Sequence, residues 1–276
     1  MTIEWRKLMA SFLCAAAILA VLTALVGDRI EGQQRERRPD REWRALVQWG
    51  VPDQNYLRPA DQYLIGAPDR TRCPRWTLER LTPESVKGDS NRRDDEWFAD
   101  RRVPKEWRVQ DSAYAKSGYD RGHLAASANH ESQESLQAAT FLLSNTMPQF
   151  PELNRGPWNQ LEKQIRERVK AGEVAWVITV PMWVKDEQGN ICARTIGNGL
   201  WAPTHCGKAV LWAPSERQSG DAQTLKLDCW ILPNEEGVAD DIGQYRVSGD
   251  AFEAAAGLDI FAGVPDDIET KLEDEK

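Results

Sequence analysis

The chain has 276 residues, 41% hydrophobic and 28% charged, which is enough to bury one sizeable core and too apolar for a disordered chain. A formal charge of −8 excludes a protein that grips nucleic acid through a globally basic surface. Any contact with phosphates must come from a local groove or a bound cation, and should be weak and salt-sensitive.

Near the N-terminus, Leu8 to Gly27 form an uncharged run of twenty residues behind Arg6 and Lys7. That length can span a bilayer, and Leu25-Val26-Gly27 is a poor cleavage site, so residues 1–27 are expected to be a retained anchor rather than a cleaved signal segment. Arg29, Arg35, Arg37 and Arg38 follow the run, so charge bias does not fix its orientation. Residues 28–45 are polar, lack an apolar period and read as a linker. The folded domain is expected over 46–276, membrane-anchored or secreted, outside the cytosol. Within it Cys73, Cys192, Cys206 and Cys229 allow two disulfides with the pairing open, or inert buried thiols.

The chain has three histidines, His123, His130 and His205, which makes the search for a general base short. His123 ends the run Asp120-Arg121-Gly122-His123, where the glycine lets backbone or substrate approach closely. His130 and His205 read as structural residues. Asn154 precedes a helical pattern in which Trp158, Leu161, Ile165 and Val169 share one face, with Pro157 in the first turn. Glu162 follows on that helix. A neutral amide oxygen with an outer carboxylate suits a hard cation that keeps most of its water. Lys163, Arg166, Arg168 and Lys170 read as a solvated face, or as one side of a nucleic-acid groove. Further on, Val174–Val180, Ala209–Trp212 and Leu225–Leu232 read as strands, and Ser248 with Gly257 caps a short helix at both ends. Strands and helices without regular βα alternation predict an α+β domain with a mixed or antiparallel sheet.

Taken singly, a lone histidine is more often structural, and an asparagine before a helix is more often a cap. The motifs in series are far more specific. YDRGHLAASANH at 119–130, TFLLSNTMPQ after it and LNRGPWNQLE at 153–162 resemble the DNA/RNA non-specific endonucleases, especially the endonuclease G branch and the secreted bacterial sugar-non-specific nucleases. The likeness runs from about Arg92 to about Asp267.

The resemblance implies a ββα-metal, or His-Me finger, site that cuts DNA and RNA without sequence preference. It implies His123 as the base that takes a proton from water, Asn154 as the sole direct protein ligand of Mg2+ (or Mn2+), and Glu162 as the holder of the metal's waters. It further implies Arg93 or Arg92 on the substrate phosphate, with Asp120, Arg121 and Asn145 in support. Homodimers and an inhibitor protein are partners such a family allows. Two departures from the family pattern are Val180 before Pro181, where a glycine is usual, and Pro157 within the metal-site helix, which could shift Asn154 relative to Glu162. The rival readings are a zinc hydrolase built on the three histidines, and an anchored nucleic-acid-binding protein that has lost activity.

Overall fold

The β-rich runs become the centre of a sheet for a local reason: branched and aromatic residues fit a pleated surface. In the computed structural model, which describes residues 41–60, 62–90, 96–186 and 188–274, seven strands form one antiparallel sheet. They are β1 (Tyr56–Ala60), β2 (Tyr63–Gly66), β3 (Thr77–Leu81), β6 (Val174–Met182), β9 (His205–Ala213), β10 (Lys226–Pro233) and β11 (Arg246–Val247), in that spatial order. Two short ribbons stand apart, β4 (Asp120–His123) with β5 (Thr146–Gln149), and β7 (Arg194–Ile196) with β8 (Leu200–Ala202). The helices are α1 (Glu134–Thr140), α2 (Asn159–Lys170), α3 (Gly249–Ala256) and α4 (Asp266–Asp274).

Both faces of the sheet are covered, so β6 is buried at all nine positions and shows no alternation. Strand β9 sorts its side chains by the two-residue period. Cys206, Val210 and Trp212 join the core formed with Leu161, Ile165 and Val169 of α2. Gly207 abuts Phe252 of α3, and Leu211 meets Ile260, Phe261, Val264 and Leu272 on the other face. Lys208 shares the α2 face with Cys206 and Val210.

The metal-site helix differs from its sequence reading. The helical run starts at Pro151–Leu153, not near Trp158, and Pro151 takes the first-turn position. Asn154–Trp158 form a π turn that leads into α2, with Gly156 at φ −99° and ψ −113° and Pro157 buried inside. Proline lacks the amide hydrogen and collides with the carbonyl one turn back, so the helix opens at this point instead of continuing straight. The predicted caps of α3 are present: Ser248 Oγ accepts from Ala251 N at 3.2 Å, and Gly257 closes the helix at φ +62°.

Cys73, Cys192, Cys206 and Cys229 are all free thiols, so the disulfide reading is replaced by the buried-thiol one for three of them. Burial pushes the Cys206 thiol up to about 12 and also raises Cys73 and Cys229, which keeps them unreactive. Cys192 is exposed. The apolar run Leu8–Gly27 and most of the linker lie outside the described residues. No helix among the described residues is long and apolar enough to cross a membrane.

Candidate active site

The site is built on β4, β5 and the helix that follows them. Asp120 pairs with Gln149 and His123 with Thr146 across the ribbon. Gly122 is needed here because a Cβ at that position would come within 1.8 Å of Gln149 Oε1, and Gln149 is fully buried. One residue beyond β5 the chain enters the helix, and Asn154 N donates to Phe150 O at 2.9 Å. Asn154 Nδ2 donates to Asp120 Oδ2 at 3.0 Å, while Arg155 reaches the same carboxylate from Nε at 2.8 Å and Nη2 at 2.7 Å. Partial burial would raise the Asp120 carboxyl, but the bonds from Arg155 and Asn154 outweigh it and hold it below the ordinary range. Asp120 therefore stays an acceptor and fixes the Asn154 amide, leaving Oδ1 free of any hydrogen bond among the described residues.

His123 is half-buried between Trp97 and Phe141, at ring-centroid distances of 4.8 and 5.3 Å. Its Nε2 is sealed from solvent and finds no partner among the described residues. Burial, and then repulsion from His130, lower its pKa to about 4, against the opposing pull of Glu79. At neutral pH the imidazole is uncharged and able to accept a proton.

Behind the ribbon lies a buried set of polar groups. Glu79 of β3 is fully buried and accepts two bonds from Asn129 Nδ2, at 3.1 and 3.0 Å, and faces His130 Nε2 at 3.1 Å. Arg166 Nη1 donates to Asn129 Oδ1 at 3.1 Å. Glu162 Oε1 lies 4.0 Å from Lys208 Nζ, which donates to Thr179 Oγ1 at 2.6 Å. Burial pushes Glu162 up and Lys208 down, and each charge opposes the other's shift.

The structure thus sorts the residues singled out from sequence. Asp120 and Asn154 are in direct contact. Among the described residues no hydrogen bond joins His123 to Asn154 or Glu162, and the neighbour that His123 and Glu162 share is electrostatic: Glu79 acts on both. Arg121 donates to Asp111 at 2.7 Å and lies over the Trp97 and Tyr114 rings at 6.0 and 5.3 Å. Asn145 is fully buried and ties Ala125 N, Ala125 O and Thr140 O, each at 2.9 Å, so it braces the loop after His123. Arg92 and Arg93 lie outside the described residues.

His130 is buried against Glu79. His205 lies in a separate groove of about 490 Å3 with Tyr119, Phe150 and Arg194. The three histidines do not converge, and no group of three His, Cys, Asp or Glu among the described residues could hold a metal. That removes the zinc reading. Nor do the basic residues of α2 form a free stripe, since Arg166 is buried and Arg168 pairs with Glu173 and Asp228.

Sequence reasoning missed Arg155, Glu79 and Lys208. The signal for Lys208 was available, because a lone charge inside the apolar run His205–Ala213 is expensive unless it is paired.

The donor set suits a hard cation rather than a soft one. It offers one oriented amide oxygen from Asn154, with Asp120 behind it and the Glu162 carboxylate further along the helix, so water must complete the coordination. A ribbon bearing His123, followed by a kinked helix bearing an oriented asparagine, is the architecture of the ββα-metal nuclease fold.

Comparison with known proteins narrows this class. The family model described as DNA/RNA non-specific endonuclease matches residues 45–267, and the chain belongs to that family. It is 32% identical to human mitochondrial endonuclease G over 221 residues, covering 77% of this chain and 72% of that protein. A nuclease of Nostoc is 32% identical, with 81% and 79% covered, and human mitochondrial nuclease EXOG is 28% identical, with 93% and 73% covered. Among solved structures, an EndoG/EndoGI complex matches with a TM-score of 0.71 at 30% identity, covering 81% of this chain and 93% of that one. The chain is accordingly an endonuclease, and the binding-only reading is not favoured.

Proposed function

We propose that this endonuclease hydrolyses DNA and RNA phosphodiesters with His123 as general base and Asn154 as the single protein ligand of Mg2+, for which Mn2+ can substitute. The observation that carries the reading is the Asp120–Asn154 bond, which leaves the Asn154 oxygen free, on the same ribbon that holds His123 neutral. Nε2 is buried without a partner among the described residues, so Nδ1 is the nitrogen assigned to the proton. It takes a proton from a water whose oxygen attacks phosphorus in line, while the P–O3′ bond breaks and O3′ leaves, taking its proton from a second, solvent water. Asn154 would hold the cation, which when bound would supply Lewis-acid polarisation of the phosphate and charge neutralisation at the leaving oxygen. Arg92 or Arg93 is assigned to the phosphate by family likeness. Nothing in this chemistry tests a base or a 2′-hydroxyl, so both nucleic acids should be cut.

The full-length protein in mild detergent is expected to degrade plasmid DNA and RNA with Mg2+, and to stop when EDTA is added. Cleavage that survives EDTA, or no cleavage with Mg2+ or Mn2+, would sink the proposal. An inhibitor protein is part of the same reading, supported by the EndoG/EndoGI complex of the solved relative. We also read Leu8–Gly27 as an anchor, on its twenty uncharged residues. Membrane fractions should then retain the protein in alkaline carbonate and release it in detergent, and release by carbonate alone would count against the anchor.

A further inference from the structure

Lys208 lies in the middle of β9 with its side chain 1% exposed. Burial on this scale is rare for lysine unless the ammonium is paired. Three groups surround Nζ: the Thr179 hydroxyl at 2.6 Å, the face of the Trp158 ring at 4.7 Å, and Glu162 Oε1 at 4.0 Å. The hydroxyl accepts a hydrogen bond from the ammonium, the ring face lies against the cation, and the carboxylate stands at the edge of ion-pair range. Thr179 is also the residue directly across the β6–β9 ladder from Lys208, so strand pairing itself seats the cation beside the hydroxyl.

We propose that Lys208 is a positioning residue of the active site: as the ion-pair partner of Glu162 it holds that carboxylate under α2, in the place from which it serves the cation held by Asn154. The inference rests on the assignment of Glu162 given above. The charged groups that act on Glu162 are Lys208 from β9, Arg166 from its own helix and Glu79 from β3. Of the two cations, Arg166 is already engaged with Asn129, which leaves Lys208 as the counter-ion of Glu162. Burial favours the protonated acid, and Lys208 is the first opposing influence.

A lysine that merely stabilises the fold makes different predictions. Replacing Lys208→Met in the full-length protein should lower kcat/KM about tenfold to a hundredfold, the usual effect of removing a group that orients a metal site from behind. The same substitution in a Glu162→Gln background should cost less than about threefold more, because the carboxylate it served is gone. Mn2+ affinity, measured without substrate by electron paramagnetic resonance, should weaken about tenfold at neutral pH. Removing a nearby cation that did not control Glu162 would instead tighten Mn2+.

Additive losses in the double variant, or Mn2+ binding that is unchanged or tighter, would overturn the inference. If Lys208→Met does not fold, Thr179→Val removes the hydroxyl that seats Nζ and carries the same cycle at smaller size. An inactive wild type would condemn the proposed function instead, and undiminished activity in Glu162→Gln alone would condemn the role of Glu162.

Discussion

Replacing His123→Ala should lower kcat/KM about 10²- to 10⁴-fold, the range lost with a general base. The substitution should leave the fold intact, because the ring it removes is itself only half-buried, beside the half-buried Trp97 and the buried Phe141. A far-ultraviolet circular dichroism spectrum and a melting curve close to wild type would separate lost chemistry from lost structure. Activity within about fivefold of wild type in a folded variant would remove His123 from the mechanism.

The imidazole also makes a pH prediction. Its folded value of about 4 lies below the ordinary 6.5, so as pH falls through 6.5 the unfolded chain takes up a proton that the folded chain refuses. The contribution of His123 to stability is therefore full above 6.5 and is lost between 6.5 and about 4. In nuclear magnetic resonance, the imidazole signal that disappears in His123→Ala should stay neutral at pH 6. Titration near 6.5 would show that the ring is not enclosed as described.

Glu79→Ala should be among the most destabilising single changes in the chain, at about 3–5 kcal/mol, the cost of removing one partner from a buried charged set. It would leave Asn129 Nδ2 and His130 Nε2 without their acceptor, in a place water does not reach. It would also strip a compensating charge from beside Lys208. The measurement is urea unfolding followed by tryptophan fluorescence, where the midpoint should fall with little change in slope. A loss under about 1 kcal/mol would mean that Glu79 is not the acceptor the structure makes it. Glu79→Gln, which keeps the shape and one acceptor oxygen, should recover part of the loss.

Much of the fold could be read along the chain. The centres of β6, β9 and β10 follow from short apolar runs. The ends of α3 follow from Ser248 and Gly257, because caps and turns depend on neighbours a few residues away. The start of the metal-site helix was misplaced: Pro157 is as acceptable in a first turn as in a π turn, and only the helix entering at Pro151 distinguishes them. The disulfide alternative failed similarly, since cysteine spacing does not show that Cys73, Cys206 and Cys229 are buried as free thiols.

By itself the sequence determined the order of the ribbon and helix motifs, and hence the family and the roles proposed for His123 and Asn154, because those signals lie within a few dozen consecutive positions. The tertiary structure decided which charges meet. Asp120 meets Asn154 and Arg155 because the helix folds back on the ribbon. Lys208 meets Thr179 and Glu162, and Glu79 meets His130, because strand order and register bring β3, β6 and β9 together under α2. Local periodicity places a side chain on a face, but a buried charge is compensated only by whatever distant segment packs against that face.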